Sequence, residues 1–174
     1  ELKSVKEIYI SDADKNEIDF TGIEYATNLK YVYINNAKKL NHTEELKQLT
    51  KIERLTVTGV ADNDIENIAK MESLTDLDIS GSFKNINGLE QLKKLEYLRL
   101  KSDELEDIQT LKNLDNLDEL YINECKKIKD ISCLKKGAYS TLGISENIPA
   151  DQVLDYEDFG DVTIQKGNFM EMFE

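Results

Sequence analysis

The sequence predicts an α/β solenoid of stacked repeats, and three observations predict it. An apolar–x–apolar pair recurs at Ile8/Ile10, Val32/Ile34, Leu55/Val57, Leu77/Ile79, Leu98/Leu100, Leu120/Ile122 and Leu142/Ile144, in steps of 24, 23, 22, 21, 22 and 22 residues. A further residue, mostly apolar, stands three positions before each pair: Val5, Leu29, Ile52, Leu74, Leu95, Leu117 and Tyr139. Between pairs, apolar residues fall at every third position, as in Ile86, Leu89, Leu92, Leu95, Leu98 and in Leu105, Ile108, Leu111, Leu114, Leu117, Leu120.

Each element follows from its period. Period two puts both members of a pair on one side of a short strand, facing inward. An amphipathic α-helix alternates steps of three and four, so unbroken period three does not fit one. It fits a tight 3₁₀-like or extended return that inserts one apolar residue per turn. A coil of this length cannot bury its own apolar edge, whereas stacked coils build one continuous core. Separate copies share detail: Tyr33-Ile34-Asn35-Asn36-Ala37-Lys38-Lys39-Leu40 reads like Tyr121-Ile122-Asn123-Glu124-Cys125-Lys126-Lys127-Ile128.

The ends differ from the middle, as capping units do. The first coil is long, with Ile18, Phe20 and Ile23 on its return. The run Ile128, Ile131, Leu134 breaks at Gly137, before the pair Leu142/Ile144 and a further strand expected at Val162/Ile164. The solenoid is assigned to residues 1–148 and a C-terminal cap of the same domain to 149–174, whose Leu154, Tyr156, Phe159, Phe169, Met170, Met172 and Phe173 are read as core.

Over about residues 2–136 the pattern resembles the leucine-rich-repeat family, L-x-x-L-x-L-x-x-N-x-L, and the repeat length is similar to that of bacterial internalin-type repeats. The resemblance implies a right-handed horseshoe with a parallel β-sheet on its concave face and 3₁₀ or extended segments on its convex face. It also implies partner binding on the concave side. The family's inward Asn, which ties the turn backbone together, falls here on Ala13, Ala37, Val60, Ser82, Asp103 and Cys125, of which Cys125 is an accepted variant. The Ig-like domain that follows the repeats in many internalins is not visible.

Charge and composition narrow the function. The chain has 174 residues and a formal net charge of −13, which repels nucleic-acid phosphates and anionic lipid and favours partners with basic patches. The lysine pairs 38/39, 93/94, 126/127 and 135/136 are scattered and form no basic stripe. Cys125 and Cys133 make no CxxC, and His42 is the one histidine, so neither a zinc site nor any other metal or cofactor is expected. Both cysteines read as small buried thiols. No apolar run approaches membrane-spanning length, and no signal-peptide pattern opens the chain, which by itself says nothing of location.

Two catalytic or metal-binding patterns are only partly matched. Asp12-Ala13-Asp14-Lys15-Asn16 resembles the start of an EF-hand loop, but Glu17 replaces the turn glycine and Ile23 stands at the twelfth position. A nucleophilic triad would have to use His42, which lies on a return path. Carboxylates are numerous enough to pair by chance, and neither a P-loop nor GxGxxG occurs. No enzyme is expected.

The strands then define a candidate site. Between the inward pairs lie Tyr9, Tyr33, Thr56, Asp78, Arg99, Tyr121 and Gly143; just before them, Glu7, Tyr31, Arg54, Asp76, Tyr97, Glu119 and Thr141; just after, Ser11, Asn35, Thr58, Ser80, Lys101, Asn123 and Ser145. Five of the eight tyrosines fall on this face. Tyr and Arg are enriched at binding hot spots, although Tyr is also a good strand former. With strands about 4.8 Å apart, Tyr9 should neighbour Tyr33, and Arg99 should neighbour Tyr121. The residues assigned to partner binding are Tyr9, Tyr31, Tyr33, Arg54, Asp76, Asp78, Tyr97, Arg99, Glu119 and Tyr121, with Asp118 extending an acidic strip.

The reading is a monomeric, non-enzymatic protein-recognition module of a bacterial secreted or surface protein. The alternatives are an intracellular regulatory subunit docked on an enzyme and, third, a calcium-dependent binding protein.

Overall fold

The computed structural model describes residues 2–134 and 138–144. The break at Gly137, Ser145, the strand at Val162/Ile164 and the cap over 149–174 lie outside the described residues.

Each of the seven apolar pairs from Ile8/Ile10 to Leu142/Ile144 sits in a strand of one parallel sheet. Its strands are β1 (Glu7–Ile10), β3 (Tyr31–Ile34), β5 (Arg54–Ala61), β6 (Asp76–Ser82), β7 (Tyr97–Lys101), β8 (Glu119–Asn123) and β9 (Thr141–Ile144), paired in that order. Equivalent positions lie side by side, so Leu55 pairs with Leu77, Leu77 with Leu98, Leu98 with Leu120 and Leu120 with Leu142. Two shorter strands, β2 (Glu17–Asp19) and β4 (Lys39–Asn41), pair in parallel on the returns of the first two coils. Strands of the main sheet form one wall of a right-handed solenoid, and the returns form the other.

The core lies between these walls. Leu29, Ile52, Leu74, Leu95 and Leu117, the residues preceding the pairs, are all buried, as are both members of the pairs from Val32 to Ile144. Burying each such side chain contributes about 1.5–3 kcal/mol. In the first coil Val5, Ile8, Ile10, Ile18 and Ile23 are only partly buried against the core.

The returns run through 3₁₀ turns at Ile23–Tyr25, Thr43–Gln48, Leu89–Gln91 and Gln109–Asn113, as period three predicts. The third coil departs from that expectation with a short α-helix, α1 (Asp62–Ile68). Its start is fixed by the buried Asp64, whose carboxylate accepts hydrogen bonds from the Ala61 N–H (2.8 Å) and the Thr43 hydroxyl (2.7 Å). This half of a capping box satisfies a free helical donor. Ile65 and Ile68 then enter the core.

The inward turn position also needs correction in two coils. Ser82 and Asp103 are exposed, and the inward residues there are Phe83 and Ser102. The Ser102 hydroxyl accepts from the Phe83 N–H (3.1 Å) and donates to the Phe83 carbonyl (2.8 Å). A hydroxyl therefore ties neighbouring turns where the family pattern has a side-chain amide. Elsewhere the Cys125 thiol donates to the Asn123 carbonyl (3.2 Å), and the Thr58 hydroxyl accepts from the Ala37 N–H (2.7 Å).

Candidate functional site

The parallel register turns the outward-facing residues into rows across the sheet. Tyr31, Arg54, Asp76, Tyr97, Glu119 and Thr141 form one row, and Tyr9, Tyr33, Thr56, Asp78, Arg99, Tyr121 and Gly143 another. All ten residues assigned to partner binding therefore share one face. In this fold the sheet is the concave wall.

Two aromatic groups stand out within the rows. At one end Tyr9 and Tyr33 stack, with ring centroids 4.7 Å apart and planes 15° from parallel. Tyr9 is 72% exposed, the most exposed large apolar side chain among the described residues. Toward the other end the Arg99 guanidinium lies 5.8 Å from the Tyr97 ring and 5.2 Å from the Tyr121 ring. The two rings are themselves 5.5 Å apart. Arg99 also pairs with Asp78 at 3.2 Å. Cation–π contact and the ion pair fix the guanidinium, so little side-chain freedom remains to be lost on binding.

Between these groups Arg54 lies 5.9 Å from the Tyr31 ring and 3.4 Å from Asp76. The Tyr31 hydroxyl donates to Glu53, which also pairs with Lys30. These bonds hold the Glu53 carboxyl below its usual range, with Lys30 the larger cause. Burial pushes the Asp78 carboxyl upward, against the opposing pull of Arg99. Burial likewise raises the Tyr97 and Tyr121 hydroxyls.

One placement differs from the sequence expectation. Tyr121 is 8% exposed and belongs to the packed layer rather than to open surface. Its ring lies over Gly143: a Cβ added there would come within 2.6 Å of Tyr121 Cδ1. Sequence pattern puts Tyr121 on the outward side of the strand, but the missing side chain at Gly143 lets the ring fold down onto the next strand. Tyr121 thus shapes the site by supporting Arg99 and Tyr97.

The other singled-out residues lie elsewhere. His42 stands on the return wall with φ 55°, where its Nδ1 meets both Asp19 (2.9 Å) and Thr21 (3.1 Å). Both partners use the same ring nitrogen, which is not the arrangement of a nucleophilic triad, where the base contacts orienter and nucleophile through different nitrogens. Asp12 accepts from the Asp14 N–H and the Asn36 amide, closing the turn after β1. Cys125 and Cys133 are buried free thiols, each raised to about 11 chiefly by burial. Sequence reasoning did not single out Glu53 and Lys30, which lie just outside the counted rows. Their alignment in adjacent coils, one position before Arg54 and Tyr31, was the available signal.

No protein-family model matches the sequence, and no curated protein matches it. Solved structures do. An internalin (inlF) from Listeria monocytogenes superposes with a TM-score of 0.64 at 20% identity, covering 95% of this chain. The chain spans 55% of that structure's length. An internalin C2 (inlC2) from the same species superposes with a TM-score of 0.58 at 22% identity, over 94% of this chain and 82% of its own. These likenesses show the fold, a leucine-rich-repeat solenoid.

Proposed function

We propose that the chain is a non-enzymatic recognition module that holds a protein partner on the concave sheet face, within a bacterial secreted or surface protein. The observation that carries this reading is the pre-arranged aromatic and cationic network along two rows of a rigid sheet. Tyr9/Tyr33, Tyr31/Arg54 and Tyr97/Arg99/Tyr121 are each fixed by stacking or cation–π contact before any partner arrives. Ordered aromatic and arginine side chains are what interface hot spots are made of. A face serving only solubility would carry isolated lysines and glutamates. The acidic balance of the chain favours a partner with basic patches around an aromatic-binding centre.

The test is retention of proteins on immobilised wild-type chain and on a Tyr9→Ser/Tyr31→Ser/Tyr33→Ser/Arg54→Ala variant, read by mass spectrometry. Extracts come from bacteria and from animal cells. A protein held by the wild type and lost from the variant, at unchanged melting temperature, is the expected result. Equal retention by both would remove the sheet face from the account.

A further inference from the structure

Beside the aromatic rows runs a second feature of different chemistry. A groove of about 1160 Å³ crosses the C-terminal ends of the strands. Its floor carries one short polar side chain or lysine per coil: Asn35, Thr58, Ser80, Lys101 and Asn123. Thr58 pairs with Ser80, Ser80 with Lys101 and Lys101 with Asn123 in the sheet register, while Asn35 directly follows Ile34, which pairs with Val57. The rungs are therefore spaced by the strand separation, about 4.8 Å.

Two of the rungs are fixed within the protein. Thr58 is bonded to the Ala37 backbone, and Lys101 pairs with Glu124 at 2.8 Å. Ser80 and Asn123 have no side-chain hydrogen bond among the described residues, and the Asn35 side-chain oxygen accepts only from the neighbouring Asn36 N–H, at 2.9 Å. Donors and acceptors thus stand open at intervals along the floor, and Tyr33 supplies an aromatic wall at one end. The charged side chains of the lining are nearly balanced: Asp12, Asp78 and Glu124 against Lys38, Lys39, Arg99 and Lys101. In a chain of net charge −13 this strip is close to neutral, with one basic side chain in excess.

We propose that this groove binds a neutral, extended oligosaccharide of linked hexopyranoses, laid across the strands with about one sugar per coil. The strand spacing is close to the length of one pyranose ring with its glycosidic oxygen. An extended polypeptide on the same rungs advances about 3.3 Å per residue and falls out of step with them. Hydroxyl and amide side chains beside an aromatic ring match the alternating hydroxyls and apolar ring faces of a sugar. The chain's net charge of −13 disfavours anionic glycans. The groove shares Tyr33, Asp78 and Arg99 with the face assigned to the protein partner, but its polar rungs Asn35, Ser80 and Asn123 are not among those residues.

The test is calorimetric titration of the full chain with the neutral hexasaccharides of (1→4)-linked glucose, mannose and N-acetylglucosamine. Hexameric galacturonic acid serves as the anionic control, and an unstructured Gly-Ser-Asn peptide as the polypeptide control. Saturable binding of at least one neutral hexasaccharide is expected. An Asn35→Ala/Ser80→Ala/Asn123→Ala variant should bind it at least about ten-fold more weakly, since it loses several neutral hydrogen bonds. The melting temperature of that variant should be unchanged. A Tyr31→Ser/Arg54→Ala variant should bind the sugar as the wild type does, which separates this site from the protein face. The proposal is overturned by the absence of binding to all three neutral sugars, or by undiminished affinity in the triple variant. Equal binding of the anionic hexamer, or binding of the peptide alone, also overturns it.

Discussion

Replacing Ser102 by Ala removes the hydroxyl that joins two neighbouring turns. In the folded protein that oxygen accepts from the Phe83 N–H at 3.1 Å, donates to the Phe83 carbonyl at 2.8 Å and accepts from the Glu104 N–H at 3.3 Å. Ser102 is 1% exposed and Phe83 0%, so water does not replace the lost partners at Phe83. Leaving a buried polar group unsatisfied costs about 1–3 kcal/mol. Two backbone groups are affected at Phe83, while Glu104 is only partly buried and can turn to solvent. The expected loss is therefore about 2–4 kcal/mol, a melting-temperature drop of about 5–15 °C for a chain of this size. The neighbouring Asp103→Ala removes an exposed side chain and should change stability by less than about 0.5 kcal/mol. Urea unfolding followed by circular dichroism measures both. If Asp103→Ala cost as much as Ser102→Ala, the inward position would be Asp103 after all and the hydroxyl tie would be refuted.

Further outcomes follow from the same geometry. Gly143→Ala sets a methyl 2.6 Å from the Tyr121 ring and should destabilise by about 1–3 kcal/mol, whereas Tyr9→Ser, at a 72% exposed position, should stay within about 0.5 kcal/mol; thermal melts compare them. Leu98→Ala, at 0% exposure in the core, should cost about 2–5 kcal/mol by urea unfolding. Asp19 raises the His42 pKa through the hydrogen bond to its ring, so histidine resonances in a pH titration should shift at a midpoint above 6.5, and Asp19→Asn should bring the midpoint down. Because the folded His42 pKa is raised, the stabilisation this contact gives is complete below the unfolded value near 6.5 and fades as pH rises through the folded one.

The strands were legible because strand period and coil period reinforce each other. Each of the seven apolar pairs proved to be a strand in register, and the predicted neighbours Tyr9/Tyr33 and Arg99/Tyr121 meet. What the pattern hid depends on single side chains whose effect is three-dimensional. The α1 helix starts where Asp64 meets Thr43, a residue from the preceding coil, and no period announces such a contact. The inward shift to Phe83 and Ser102 breaks the repeat arithmetic by one residue in opposite directions, and the two compensate only because they bond to each other. The burial of Tyr121 follows from the absence of a side chain on the next strand, a feature that outward and inward alternation does not encode.

The central claim is that recognition belongs to the sheet face and not to the return wall. The direct measurement is a binding titration of a retained partner against three proteins: wild type, Tyr31→Ser/Tyr33→Ser/Arg54→Ala on the sheet face, and Tyr25→Ser/Lys112→Ser on the return wall. All three should first be shown to melt alike. The account predicts that the sheet-face variant binds at least about ten-fold more weakly, through loss of aromatic and arginine anchors, while the return-wall variant matches the wild type. A loss confined to the return-wall variant would contradict it.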